Sequence, residues 1–300
     1  MRCSVAEPGR GRLLAIGGSM AIRTIKRIGR ARPTIEGAGV HLQRAFGFGD
    51  PSELDPFLLL DDFRSDDPKE YIAGFPWHPH RGIETITYVL AGTVEHGDSM
   101  GNRGVIGAGD VQWMTAGSGI IHQEMPKGDE AGRMHGFQLW ANLPASLKMT
   151  VPCYQEVEAA NIPEVKERSG SNIRIICGSY GGITGPVSSI AADPIYLDIA
   201  IPAGHEKEIP VSSDRNVFAY VFAGSGKFSG TTAAENRTLI VFDRGTEVAV
   251  QAGREGIRFL LVSGKPLREP VAWQGPIVMN TQEELHRAFK EIEEGTFLKH

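Results

Sequence analysis

GFPWHPHRGIETITYVLAG, residues 74–92, carries both a candidate site and the texture that runs through the whole chain. Its second half, Thr85 to Leu90, is a run of β-branched and aromatic residues bounded by Gly82 and Gly92, which reads as a strand between turns. In its first half, His78 and His80 stand two residues apart. Alternate side chains of an extended segment leave the same face, so these imidazoles can point together at one ion. Pro79 offers no amide hydrogen to a central ladder, which restricts the segment to a sheet edge, a bulge or a barrel rim. Alone, His-Pro-His would suit a surface turn equally well.

The same texture extends in both directions. Asp110 to Thr115 and Gly136 to Trp140 are strand-length runs, the latter ending at the turn Asn142-Leu143-Pro144. Ile195 to Ala200, Val217 to Gly224, Leu239 to Phe242 and Ile257 to Val262 continue it in the second half. With 37 Gly and 18 Pro punctuating such runs, the text is all-β and points to sandwiches or barrels. Tyr88-Val89-Leu90-Ala91-Gly92 is answered by Tyr220-Val221-Phe222-Ala223-Gly224, which suggests two similar β domains. Helix is expected only near the end. Thr281 and Glu284 have capping-box spacing, Leu285, Phe289 and Ile292 form an apolar stripe, and Gly295 stops it. That helix should dock on a β domain.

Composition narrows the function classes. A chain of 300 residues with 41% hydrophobic content can bury a sizeable core, which excludes disorder throughout. The balance of 31 basic against 36 acidic residues, net −5, supplies no general field for a polyanion, so direct nucleic-acid binding is not expected. A basic stretch from Arg2 to Arg32 reads as a frayed N-terminus. Three cysteines, Cys3, Cys153 and Cys177, do not make a secreted disulfide framework, and no apolar run has transmembrane length. A cytoplasmic protein follows. Residues 1–19, Gly/Arg-rich and without periodicity, read as a disordered leader or a start placed too early.

A second motif gives the first its weight. In Gly119-Ile120-Ile121-His122-Gln123-Glu124-Met125, the same two-residue spacing puts His122 and Glu124 on one face. Two neighbouring strands with two ligands each would give a site of three histidines and one carboxylate, with room for water or substrate. Imidazole and carboxylate accept iron, nickel, copper or zinc. Glu84, four residues after His80, competes for the ligand role but also suits a supporting hydrogen bond behind the ligands. Trp77, next to His78, is a candidate wall for a flat ligand. Cys153 and Cys177 stand outside both motifs, and the Gly-Ser-Gly strings at 117–119 and 224–226 lack the flanks of a nucleophile elbow.

At these residues the chain resembles the pirin family of the cupin superfamily. The resemblance is carried by FLLLDDF at 57–63, GFPWHPHRGIETITYVLAG at 74–92, DVQWMTAGSGIIHQEMP at 110–126, GFQLWANLP at 136–144 and PLREPVAWQGPIVMNTQEE at 266–284. It covers residues 22–295 and implies an all-β bicupin: a metal-binding N-terminal cupin domain at 20–150, a second at 151–275 without a metal site, and a C-terminal helix and tail at 276–300. By position it implies His78, His80, His122 and Glu124 as the ligands of one Fe(II) per chain, or another divalent transition metal, with Glu84 behind them. The activity implied is that of a quercetin 2,3-dioxygenase acting on a small aromatic substrate and O2, with Glu124 also taking the substrate proton. Other family members are regulators, so a redox-dependent, non-enzymatic protein that binds a protein partner is the rival expectation. A monomer without membrane attachment is expected in either case. His205 in the second half has no His-x-His or His-x-Glu companion.

Overall fold

The computed structural model describes residues 21–49 and 51–299, so the expected leader at 1–19 lies outside the described residues. The chain forms two compact units, one from Arg32–Asn161 with 267–299, the other from 21–31 with Ile162–Pro266. The last segment thus returns to the unit that holds both histidine motifs.

In that unit seven antiparallel strands run in the order Cys153–Val157, Val111–Thr115, Ile83–Ala91, Met134–Asn142, Phe57–Ser65, Val40–Phe46 and Arg32–Glu36. A second sheet has four, in the order Phe75–His80, Ile120–Lys127, Thr93–Asp98 and Arg103–Ile106. The apolar runs found in the sequence become the middle of the larger sheet. Ile83–Ala91 is buried through its first seven residues because it has neighbours on both sides and side chains packed on both faces. Phe75–His80 ends the smaller sheet and pairs there with Ile120–Lys127, an edge position that spares Pro79 a ladder bond.

The burial of Ile120–Lys127 alternates: Ile120, His122, Glu124 and Pro126 face inward, while Ile121, Gln123 and Met125 are only partly covered. A polar pair on the inward face of a strand is costly unless it is partnered. That alternation marks where the barrel interior stops being a plain core.

The other unit is a nine-stranded sheet built around the long strands Asn216–Phe228 and Glu247–Gly264. Its interior is apolar, with Ile175, Leu197, Ile199, Val221, Phe228, Ile240, Val248, Phe259 and Leu261 in one cluster. Side chains of this kind offer no lone pairs to an ion.

The helix at Gln282–Glu293 begins with the anticipated capping box. Glu284 N donates to Thr281 Oγ1 at 3.2 Å and Thr281 N donates to Glu284 Oε2 at 3.0 Å. Leu285 and Ala288 are buried against Ala272, Ile277, Met279 and Phe297, with Phe289, Ile292 and Ile121 at the margin. No helix among the described residues is long and apolar enough to cross a membrane.

Candidate metal centre

The antiparallel register sets His122 directly opposite His78 and Ile120 opposite His80, then slips by a bulge before Glu124 meets Phe75. Three imidazoles from two strands therefore share one small volume. The ligand nitrogens of His78, His80 and His122 all lie within 4.8 Å of one another, and the ring centroids are 4.4 to 5.1 Å apart. This is the one such group of three among the described residues.

Backbone carbonyls fix two of the rings. His78 Nδ1 donates to Pro76 O at 2.8 Å, and His80 Nδ1 donates to Pro276 O at 3.1 Å. A carbonyl can only accept, so each proton sits on Nδ1 and each Nε2 presents a lone pair. Those two Nε2 atoms face each other at 3.1 Å. His122 Nε2 is buried with no hydrogen-bond partner. Two opposed lone pairs and an orphaned nitrogen are unfavourable as they stand, and one cation among them relieves both. Two nitrogens at right angles on an ion with bonds of about 2.0–2.1 Å would sit about 3 Å apart, which the pair matches. The residues present fit a divalent transition metal.

Electrostatics point the same way. Burial first, then neighbouring His78, holds His80 well below the ordinary imidazole range. His122 is lowered by burial and then by His80, His78 and His96. Both rings are thereby kept neutral, the form in which imidazole coordinates.

Glu124 shares the inward face but stands outside the 4.8 Å group. Its Oε1 accepts from Thr87 Oγ1 at 3.0 Å and Gln138 Nε2 at 3.2 Å, and its Oε2 accepts from Gln138 Nε2 at 3.0 Å. Oε2, with a single donor, keeps acceptor capacity. Glu84 is buried in the large sheet, where it accepts from Thr115 Oγ1 at 2.9 Å. Burial pushes its carboxyl up to about 7, against the opposing pull of the Thr115 hydroxyl.

Beside the histidines opens a cavity of about 420 Å³ whose wall includes His78, His80, Glu124, Gln138, Trp77 and Trp140. Trp77, 53% exposed, stands at this wall, and Trp140 meets the His80 ring edge to face at 5.1 Å between centroids. The wall also holds an ion pair that sequence spacing gave no sign of. Arg44 grips Asp61 through Nε at 2.8 Å and through Nη2 at 2.7 Å, and reaches Glu36 at 2.8 Å. Burial raises Asp61 to about 6 despite that arginine. Thr87 and Gln138 were missed as well, although each alternates correctly on a strand that the apolar pattern had found.

Two antiparallel β units, one with a three-histidine cluster at a sheet edge and the other with an apolar interior, define a bicupin. The pirin family profile matches residues 39–141, and that of the pirin C-terminal cupin domain matches residues 196–298. The chain belongs to the pirin family. It is 45% identical to a pirin-like protein of Caulobacter vibrioides over 279 residues, 93% of this chain and 100% of that one. A quercetin 2,3-dioxygenase of Acinetobacter baumannii has a solved structure that superposes with a TM-score of 0.86 at 32% identity, covering 92% of this chain and 99% of that one. The bacterial pirin YhhW of Escherichia coli, solved in complex with nickel(II), shares the fold with a TM-score of 0.62 at 22% identity, over 80% of this chain and all of that one.

Proposed function

We propose that the protein is an iron-dependent dioxygenase that cleaves flavonols such as quercetin. The observation that carries this is the three-nitrogen cluster, with its orphaned His122 Nε2, opening onto an aromatic-walled cavity of about 420 Å³. That size and lining suit a small flat ligand. The similarity to a quercetin 2,3-dioxygenase along nearly the whole chain supports the same choice.

His78, His80 and His122 would hold one Fe(II), and Glu124 would supply the fourth protein donor through the spare capacity of Oε2. The bound ion would act as a Lewis acid toward the flavonol 3-hydroxyl and as the redox partner for O2. The work of the chain is to orient and to move a proton. Trp77 and Trp140 would flank the planar rings and exclude water from them. When not engaged as a ligand, Glu124 would accept the 3-hydroxyl proton, held at the cavity wall by Thr87 and Gln138. Glu84 would stiffen the large sheet behind the site through Thr115.

The test is anaerobic reconstitution with Fe(II), followed by aerobic incubation with quercetin. Oxygen uptake in step with ring opening is expected. Stoichiometric iron binding without oxygen uptake would contradict the activity and favour a regulatory role that reads the metal's redox state.

A further inference from the structure

His80 donates its Nδ1 proton to a carbonyl 196 positions further along the chain, Pro276 O. The ring that must present Nε2 inward is therefore oriented by a segment remote in sequence. Next to it, Arg81 is 2% exposed, and each of its three guanidinium nitrogens makes a hydrogen bond. Nε donates to Ser118 O at 2.7 Å, Nη1 to Glu291 Oε2 at 2.8 Å and Nη2 to Phe297 O at 2.7 Å, while Cζ lies 4.2 Å from the centre of the Phe297 ring.

These contacts join three pieces. Arg81 follows the strand that carries His78 and His80, and Ser118 shortly precedes the strand that carries His122. Glu291 belongs to the C-terminal helix and Phe297 to the segment that follows it. The backbone repeats the connection: Val278 N donates to Arg81 O at 3.1 Å, and Arg81 pairs with Ile277 in an isolated bridge. Lys148 Nζ donates to Gly82 O at 2.9 Å and Val278 O at 3.0 Å, fastening the same two segments from the other side. The fit is close enough that a Cβ on Gly119 would come within 3.0 Å of the Phe297 ring. Lys299 adds a second cation to Glu291 at 2.9 Å.

A buried guanidinium without its carboxylate is strongly unfavourable, so loss of Glu291 should displace Arg81 or the helix instead of leaving both in place. Either movement shifts the Ile277 bridge and, one residue before it, the Pro276 carbonyl. Without that acceptor the His80 proton is free to occupy Nε2, where it blocks coordination.

We propose that the C-terminal segment is a clasp for the metal centre, in which Glu291, acting through Arg81, keeps Pro276 O on His80 Nδ1 and so holds Nε2 ready as a metal ligand. Glu291 and Arg81 are positioning residues here. The affinity part of the idea rests on the metal-site reading above, whereas the tautomer part stands on the metal-free protein.

The experiment uses the full chain with Glu291→Ala, first checked for a native circular dichroism spectrum and a cooperative melt. Nickel(II) alone is titrated in competition with a chromophoric chelator, and histidine ring nitrogens of the metal-free protein are followed by two-bond proton–nitrogen NMR at pH 8. Nickel affinity should fall roughly 10- to 100-fold, the usual effect of losing the group that orients a ligand. The His80 pattern should change from a single Nδ1-protonated tautomer to a mixture. If Glu291→Ala does not fold, Glu291→Gln, which leaves the buried Arg81 guanidinium without its counter-charge, is read by the same two measurements with the same expected direction. Unchanged nickel affinity, or weaker affinity with an unchanged His80 tautomer, would overturn the clasp. Wild-type protein that binds no nickel would instead refute the metal-site reading, and the tautomer comparison would still judge the clasp.

Discussion

Replacing Glu84 with Gln should make the metal-free protein more stable at high pH and have much less effect at low pH. The carboxyl is 3% exposed, and the Thr115 hydroxyl and Trp113 indole, which favour the anion, do not offset the loss of water around a charge. Its folded pKa of about 7 stands above the ordinary value of 4.5. A raised folded pKa favours folding below the unfolded pKa, and that advantage disappears as pH rises through the folded one. Above about pH 7 the full cost approaches ~3 kcal/mol, whereas at pH 5, where the folded group is protonated and the unfolded one mostly ionised, it is under ~1 kcal/mol. Glu84→Gln removes the titration. Relative to wild type it should therefore be more stable at pH 8 than at pH 5 by about 2.5 kcal/mol, or roughly 5–10 °C in melting temperature. Comparing two pH values cancels any fixed penalty from fitting the amide. Urea unfolding of both metal-free proteins at the two pH values measures this, and an equal difference at pH 5 and pH 8 would show that Glu84 does not pay a burial cost as an anion.

Other expectations concern the same unit. Glu124→Gln should keep stoichiometric iron while quercetin turnover per iron falls about 10²–10⁴-fold, because an amide can still offer an oxygen but is hardly basic; iron content and turnover on one sample decide it. Gly82→Ala should destabilise by at least about 1–3 kcal/mol from its backbone conformation alone, since Gly82 has φ +77° and the new Cβ would lie 1.9 Å from Val278 O. An unchanged urea midpoint would contradict this. Lys148→Met should cost at least about 3 kcal/mol, as the three acceptors Gly82 O, Asn142 Oδ1 and Val278 O lose their common donor; equilibrium unfolding provides the check.

What could be read from sequence was what repeats at short range. Period-two spacing placed His78 with His80 and His122 with Glu124, and Pro79 placed the first pair at an edge. The capping box set the start of the helix because its two hydrogen bonds span three residues. The partners that give these residues their chemistry lie far away in the chain. Gln138 braces Glu124 from another strand, Pro276 fixes the His80 proton across 196 positions and Arg81 finds Glu291 across 210. No local periodicity encodes such pairs. The role of the last segment was hidden for the same reason: its apolar stripe shows that it docks, but not that it docks beside the histidines. Glu84 shows the same limit at short range: the chain changes sheets between His80 and Ile83, so the parity that allowed a place near His80 does not carry across, and the cross-strand register sets Glu84 against Thr115.

The proposed activity requires that three histidines hold one ion and that this ion support oxygenative cleavage. The most direct measurement is iron per chain and quercetin-dependent oxygen uptake, taken on the same preparations of wild type and His122→Ala after identical anaerobic loading. Wild type should hold close to one iron and consume oxygen as quercetin disappears, and His122→Ala, lacking the nitrogen that is buried without a partner, should lose both together. Full iron and full turnover in His122→Ala would place the chemistry elsewhere.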